Sequence, residues 1–373
     1  MIFLDNASTT KCLDGVNEIV QKYNSIEFFN PSAPYAKASN IHAEINDAKK
    51  VILDALSAKG KFLFTGSATE SNNTVLLGQL NRRFKKVLIS KAEHSSISHT
   101  IQAVKNLGYD IEEIPLDSDG KVSIEAFRNM MTKDVGLISV IHISNETGAI
   151  NPIKQLVQIA KEINPNVLFH SDGVQAFMKI PVNLEDLGVD FYTISGHKVH
   201  APKGIAGLFV RKNAKPYLLG GEQQDGLRGG TENVSGIMAL KYVIENTNVK
   251  EKQTKVAVLR DLLFDLLADN KDITINSKKE NSPFVVSLTL NGVNGETMVH
   301  ALEECDILVS TGSACSSKSV GNSTLSAMGL DAKSIKGNLR VSFDIENTEE
   351  DVRIFASKLQ ELLTKLQARK STF

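Results

Sequence analysis

The sequence predicts an α/β protein with a mainly parallel sheet, followed by a smaller α+β region. Three observations carry that expectation. Apolar runs of strand length alternate with amphipathic stretches as far as about residue 250. Several of these runs stop on a polar residue with small, turn-forming residues directly behind it. Beyond residue 250 a charged amphipathic stretch opens a region of different character.

In chain order, residues 61–65, 86–90, 135–143, 167–171, 191–195 and 205–210 read as strands. Helical periodicity marks 36–56, 69–80, 154–162 and 236–247. In the second region, 256–268 reads as a helix and 284–290 as a strand. A helix near 295–304, a Gly/Ser loop, a strand near 339–343 and a final helix follow. A chain of 373 residues has room for two domains. We place a large domain at 16–250, and a small one at 1–15 together with 251–373.

Composition narrows the function. The chain is 42% hydrophobic and 23% charged, with a formal net charge of -1. That balance offers no electrostatic case for nucleic acid or an anionic membrane surface. No apolar run reaches the ~18–20 residues that span a bilayer. The first residues, Met1-Ile2-Phe3-Leu4-Asp5, carry no basic, apolar leader, so a cytoplasmic location is expected. The three cysteines, Cys12, Cys305 and Cys315, are odd in number and lack CxxC spacing. A disulfide framework and a tetrahedral zinc site are both unexpected.

The chemistry starts at Lys198. The apolar run 191–195 ends in Ser195-Gly196-His197-Lys198, and the run 167–171 leads onto Asp172. A lysine and an acid at the ends of neighbouring strands suit pyridoxal phosphate. The lysine holds the cofactor as a Schiff base, and the acid keeps the pyridine nitrogen protonated. Around this pair, residues 64–73 read as strand, small-residue turn and helix start, whose backbone N–H groups suit a phosphate. An ordinary helix capped by Thr69 is the plainer alternative. His94 follows the strand ending at Ser90, where its ring could stack on a cofactor and carry protons. Asn145 lies in the turn Asn145-Glu146-Thr147-Gly148, and Gln175 follows Asp172 by three residues, within reach of a ring oxygen. The glycine-rich stretch 220–233 carries Arg228 and Thr231, and the functional reading brings both near a phosphate.

Cys315 sits among small polar residues in Gly312-Ser313-Ala314-Cys315-Ser316-Ser317-Lys318. Such a thiol is accessible, and a nearby lysine favours the thiolate. Cys305 behind an amphipathic helix reads as packing, and Cys12 has no evident chemical context. Arg340 lies inside an apolar strand and needs an anionic partner. That partner is either a substrate carboxylate or an acid of the small domain.

Taken together, these segments resemble the NifS/IscS-type cysteine desulfurases of the class V aminotransferase fold, in the long-loop group. The matching runs are Leu4-Asp5-Asn6-Ala7, Asn30-Pro31-Ser32, Ala68-Thr69-Glu70-Ser71-Asn72-Asn73 and Glu93-His94. They continue through Asn145-Glu146-Thr147-Gly148, Asp172-Gly173-Val174-Gln175, Ser195-Gly196-His197-Lys198, Arg228-Gly229-Gly230-Thr231, Gly312-Ser313-Ala314-Cys315 and Arg340. Gly66-Ser67 stands where relatives carry Ser-Gly, and Phe343-Asp344 where a Gly-Arg stretch is usual.

The resemblance implies a pyridoxal-phosphate-dependent transferase of fold type I with a seven-stranded sheet. It implies conversion of L-cysteine to L-alanine, with the sulfur passing to Cys315 as a persulfide. Lys198, His94 and Cys315 would be catalytic. Ala68, Thr69, Ser195 and His197 would hold the phosphate, joined by Thr231 from the partner of a homodimer. Asp172, Gln175, Asn145 and His94 would hold the ring, and Asn145 and Arg340 the substrate carboxylate. No resident metal is implied. A sulfur-acceptor protein, for iron–sulfur assembly or tRNA or cofactor thiolation, is the implied further partner. A selenocysteine lyase or a small-amino-acid aminotransferase on the same fold is the enzymatic alternative. A catalytically silent protein of this fold is the non-enzymatic one.

Overall fold

The computed structural model describes residues 1–81, 83–312 and 324–370. Strand β1 (Ile2–Phe3) belongs to the smaller unit and is taken up with it below. The central sheet contains β2 (Lys61–Thr65), β3 (Lys86–Ser90), β4 (Asp110–Ile114), β5 (Val135–Ser139), β6 (Leu168–Asp172), β7 (Phe191–Ser195) and β8 (Ala206–Val210). Their order is β2-β8-β7-β6-β5-β3-β4. Only β8 runs against its neighbours, so the seven-stranded sheet is mainly parallel, as expected.

Helices cover both faces of this sheet. Along β2, Phe62 and Phe64 enter one core and Leu63 the other, following the period of two along a strand. Every residue of β5, β7 and β8 is buried, which explains their continuous apolar runs. Edge strand β4, Asp110-Ile111-Glu112-Glu113-Ile114, lacks that signature and escapes the sequence reading. It pairs with β3 alone, and its acids point to solvent or the rim.

In the smaller unit, β9 (Ile273–Ile275), β10 (Val285–Leu290), β11 (Ile307–Leu308) and β12 (Asn338–Ser342) complete the strands. β12, β10 and β9 form an antiparallel sheet, while β11 pairs in parallel with β1. Helices Val249–Leu267, Gly295–Glu303 and Glu349–Lys370 contribute Val256, Met298 and Phe355 to its core. Leu4 and Ala7 enter this same core, whereas Val16 enters that of the large unit. The N-terminal segment therefore starts in one unit and crosses to the other. It is pinned to β12 by Asn6, whose Nδ2 donates to the Ser342 carbonyl at 3.0 Å.

Three local expectations need correction. The strand expected over 135–143 ends at Ser139, because the following residues leave the ladder for single bonds to β6. Val140 N donates to His170 O, and His142 N to Asp172 O. The helix expected at 256–268 begins at Val249, where Asn248 caps it by accepting from Glu251 N. Cys305 is exposed rather than packed. It falls in the turn after the helix, beside Asp306 with its left-handed φ of 58°.

Candidate active site

The carboxyl ends of β2, β3, β6 and β7 face one hollow, the usual ligand-binding edge of an open α/β sheet. Lys198 closes a single 3-10 turn directly after β7. Its ammonium donates to the Ala7 carbonyl at 2.7 Å and to the Ser8 carbonyl. Burial first, and then the Arg340 charge, lower its pKa to about 8, against the pull of Asp5 and Asp172. A lysine so placed yields its proton more readily than one in water.

Asp172, the last residue of β6, is 3% exposed. Its Oδ2 accepts from Asn72 Nδ2 at 2.8 Å, and its Oδ1 from Val174 N at 3.0 Å. Asn72 also donates to Ser96 Oγ at 2.8 Å, and that hydroxyl lies 2.9 Å from His94 Nδ1. A hydrogen-bonded chain thus joins the acid to the histidine. His94 caps the helix Ser95–Ser98, with Nδ1 accepting from Ser96 N at 3.2 Å. That assigns the neutral ring's proton to Nε2. Part of the ring is open to solvent, yet the crowded hollow pushes its pKa down, with Asp172 opposing. Glu93 is buried, and its Oε1 accepts from Ile141 N at 2.6 Å. Burial, reinforced by Asp172, raises its pKa well above the usual range. Burial thus favours the protonated form of the Glu93 carboxyl.

At the end of β2, Ser67 rather than Thr69 caps the helix Ala68–Leu76, accepting from Glu70 N. Glu70 in turn accepts from Gly66 N at 2.8 Å and pairs with Arg228 Nε at 2.8 Å. The N–H groups of Ala68 and Thr69 are left without a partner among the described residues. Two such groups at the positive end of a helix suit a phosphate. The Ser-x-x-Glu spacing of a capping box was the sequence signal for this arrangement. Arg228 braces Glu70 through Nε and Nη2.

Ser195 is buried and its hydroxyl makes no hydrogen bond among the described residues. His197 Nδ1 lies 3.2 Å from Thr9 Oγ1, and burial followed by nearby lysines lowers its pKa to about 4. It is neutral at physiological pH. Gln175 donates from Nε2 to the Ala7 carbonyl at 3.0 Å and accepts from Lys179 at 2.7 Å. Thr231 is exposed and has no bond to the cradle of its own chain.

Arg340 on β12 lies at the junction of the two units. Its Nη2 donates to Asp5 Oδ1 at 2.8 Å and Ser8 Oγ at 2.7 Å. Its Nη1 donates to the carbonyls of Asn145 and Gly312 at 3.0 and 3.1 Å. The expected acid of the small unit exists, and it is Asp5. Yet Arg340 Nε is buried with no partner among the described residues, so the guanidinium still has a donor to offer a ligand. Among the described residues the Asn145 side chain forms no hydrogen bond. Cys315 lies outside the described residues.

The hollow thus holds a readily deprotonated amine, a buried carboxylate and a phosphate-shaped helix start, with an unsatisfied arginine donor at its rim. This donor set fits pyridoxal phosphate and an amino-acid carboxylate. The sequence reading missed Asn72, Asp5, Glu70 and Glu93 as site residues. Asn72 had a detectable signal, a polar residue on the buried side of a helix. Asp5 had none, because its partner Arg340 is supplied by a distant strand.

The chain belongs to the aminotransferase class-V family, whose model matches residues 2–355. Within it, the chain is 35% identical over 376 residues to a cysteine desulfurase IscS of Methanosarcina thermophila, covering 98% of this chain and 93% of that one. It is 33% identical over 377 residues to the IscS of Dictyoglomus turgidum, covering 98% and 95%. Among solved structures, a NifS-like protein matches with a TM-score of 0.90 at 30% identity, covering 97% and 99%. SspA in complex with cysteine matches with a TM-score of 0.82 at 28% identity, covering 92% and 99%. Proteins of this family depend on pyridoxal phosphate.

Proposed function

We propose that this hollow carries out cysteine desulfuration, with Lys198, His94 and Cys315 as the catalytic residues. The chain is a pyridoxal-phosphate-dependent cysteine desulfurase, which converts L-cysteine to L-alanine. The observation that best supports the residue assignment is Lys198, with its lowered pKa, beside the buried Asp172.

In this reading Lys198 Nζ would anchor the cofactor covalently. Ala68, Thr69, Ser195 and His197 would hold its phosphate, and Asp172 its ring nitrogen. Gln175 and Asn145 would face the ring oxygen, with His94 against the ring. Bound there, pyridoxal phosphate supplies an electron sink for the substrate carbons. Arg340, through its unsatisfied edge, and Asn145 bind the substrate carboxylate. Lys198 then takes the α-proton as a neutral amine. His94 moves the proton of the substrate thiol. The Cys315 thiolate attacks the substrate sulfur, forming the persulfide S–S bond as the Cβ–S bond breaks. That electron pair returns to the carbon skeleton, which gains a proton at Cβ and leaves as alanine.

The wider reading is a cytoplasmic homodimer with domains at 16–250 and at 1–15 plus 251–373. Thr231 would reach the phosphate of the other subunit. Exposed apolar residues support an interface, with Phe28 64%, Ile26 66% and Leu219 79% exposed. The sulfur would pass from Cys315 to an acceptor protein for iron–sulfur assembly or thiolation. Among the described residues, no helix is long and apolar enough to cross a membrane.

The test is sulfide and alanine release from L-cysteine with a reductant, in the wild type and in Cys315→Ala. Both products from the wild type and no sulfide from the variant are expected. Undiminished sulfide release from Cys315→Ala would remove Cys315 as sulfur acceptor and favour a lyase reaction.

A further inference from the structure

Lys179 is a lysine in the interior, 1% exposed, on the turn that follows Asp172 and Gln175. Burying an ammonium group is unfavourable, and burial lowers its pKa to about 7. Among the described residues no acid is paired with it. Asp344 attracts it, but the Asp344 Oδ1 is bound by Lys252 at 2.9 Å and His200 at 2.8 Å, and its Oδ2 makes no hydrogen bond among these residues. Lys252, Lys198 and Arg340 add repulsion. Among the described residues the ammonium group makes one hydrogen bond, to Gln175 Oε1 at 2.7 Å, and lies 5.7 Å from the centre of the Phe284 ring.

That bond has a direction. Lys179 donates to Gln175 Oε1, and a backbone carbonyl only accepts. Gln175 is held between one of each, Lys179 on Oε1 and the Ala7 carbonyl on Nε2. The amide can therefore satisfy both ends in one orientation only. The Ala7 carbonyl also accepts from Lys198 Nζ, so the N–H edge of Gln175 lies beside the reactive amine.

We propose that Lys179 is a positioning residue for the cofactor: by holding Gln175 Oε1 it makes Gln175 present a donor, never an acceptor, to the ring oxygen. This rests on the reading above that Gln175 contacts that oxygen. A fixed donor stabilises the oxygen in its anionic form, so it lowers the pH at which the bound cofactor loses its proton.

The experiment is a pH titration of the cofactor's visible absorbance in the purified holoenzyme without substrate. It compares the wild type, Lys179→Met, Gln175→Ala and the double variant. Lys179→Met is expected to raise the apparent pKa by about one pH unit, and Lys179→Gln, which keeps a donor, to leave it near the wild-type value. In the Gln175→Ala background, Lys179→Met should add nothing further. An equal shift in that background would mean that Lys179 acts by its own charge and would overturn the proposal, as would no shift from Lys179→Met alone. No shift from Gln175→Ala would instead overturn the reading that Gln175 touches the cofactor. Should Lys179→Met fail to fold, Lys179→Glu replaces it. An acceptor against Oε1 leaves the amide no orientation that satisfies both neighbours, so its donor edge is no longer fixed and the same Gln175-dependent rise is expected. A rise that survives Gln175→Ala would again overturn the proposal.

Discussion

The helix start at residues 66–70 and the junction around Arg340 both supply polar groups to one hollow, but they draw on the chain differently. At the helix start, Gly66, Ser67 and Glu70 satisfy one another, and only Arg228 comes from elsewhere. At the junction, Arg340 gathers Asp5 and Ser8, the Asn145 carbonyl and the Gly312 carbonyl from separate segments. The first depends on neighbours in sequence and survives as long as its helix does. The second exists only when both units are folded and docked. Damage at the junction should therefore spread further than damage at the helix start.

Lys198, between the two, gives the largest effect. Lys198→Ala should lower alanine release by at least about 10³-fold, since both the covalent anchor and the proton carrier are removed. The melting temperature of the apoprotein should not fall, because a buried cation is removed with it. A large drop in melting temperature would instead make Lys198 part of the junction's support.

Acid should break the large unit, which holds buried neutral histidines beneath the sheet edge. Burial lowers His142 to about 4 and His170 to about 3. Their folded pKa values lie below the unfolded value of about 6.5, so the unfolded chain takes up protons first. Stability is full above that value and is lost as the pH falls toward 4, by on the order of a few kcal/mol. Apoprotein melting at pH 7.5 and pH 4.5 checks this, and equal melting temperatures would refute it.

Next in size is the junction itself. Arg340→Ala leaves Asp5 without its cation and strips two carbonyls of a donor, and should destabilise the fold by about 3 kcal/mol. It should also raise the KM for cysteine. Ser67→Ala, at the helix start, should cost only about 1 kcal/mol, the ordinary price of a lost cap. Urea unfolding of both variants measures the contrast. Equal losses would show that the helix start is coupled to the rest of the molecule as tightly as Arg340 is.

The same contrast explains what the sequence made legible. Strands β2, β3 and β7 were readable to the residue because each is apolar and ends on turn chemistry. Lys198, Asp172 and His94 were readable because strand ends in such a sheet face the ligand. Edge strand β4 was not, since an exposed edge needs no apolar run. The assignment of the cap to Thr69 followed from taking the helix one residue late, and the Ser67-to-Glu70 spacing would have corrected it. Asp5 and Lys179 were illegible as site residues for a different reason. Their partners are set by docking and by a single amide's orientation, which no local pattern records.

The N-terminal segment carries a further consequence, for the time at which the site comes into being. Ile2 N bonds Asp306 O, Leu4 N bonds Leu308 O, and Ser342 N bonds Leu4 O. The carbonyls of Ala7 and Ser8 that hold Lys198 are thereby anchored by residues made more than three hundred positions later. During synthesis the large sheet can assemble while this segment still waits for its partners. Until then Ala7 is held only from the large unit, by Gln175 and by the neighbouring bond of Thr10 N to the His197 carbonyl, and the nascent chain lacks the strand pairing and the Arg340 junction that complete the site. Reactive sulfur chemistry is thus withheld until the small unit has emerged and closed over its own first residues.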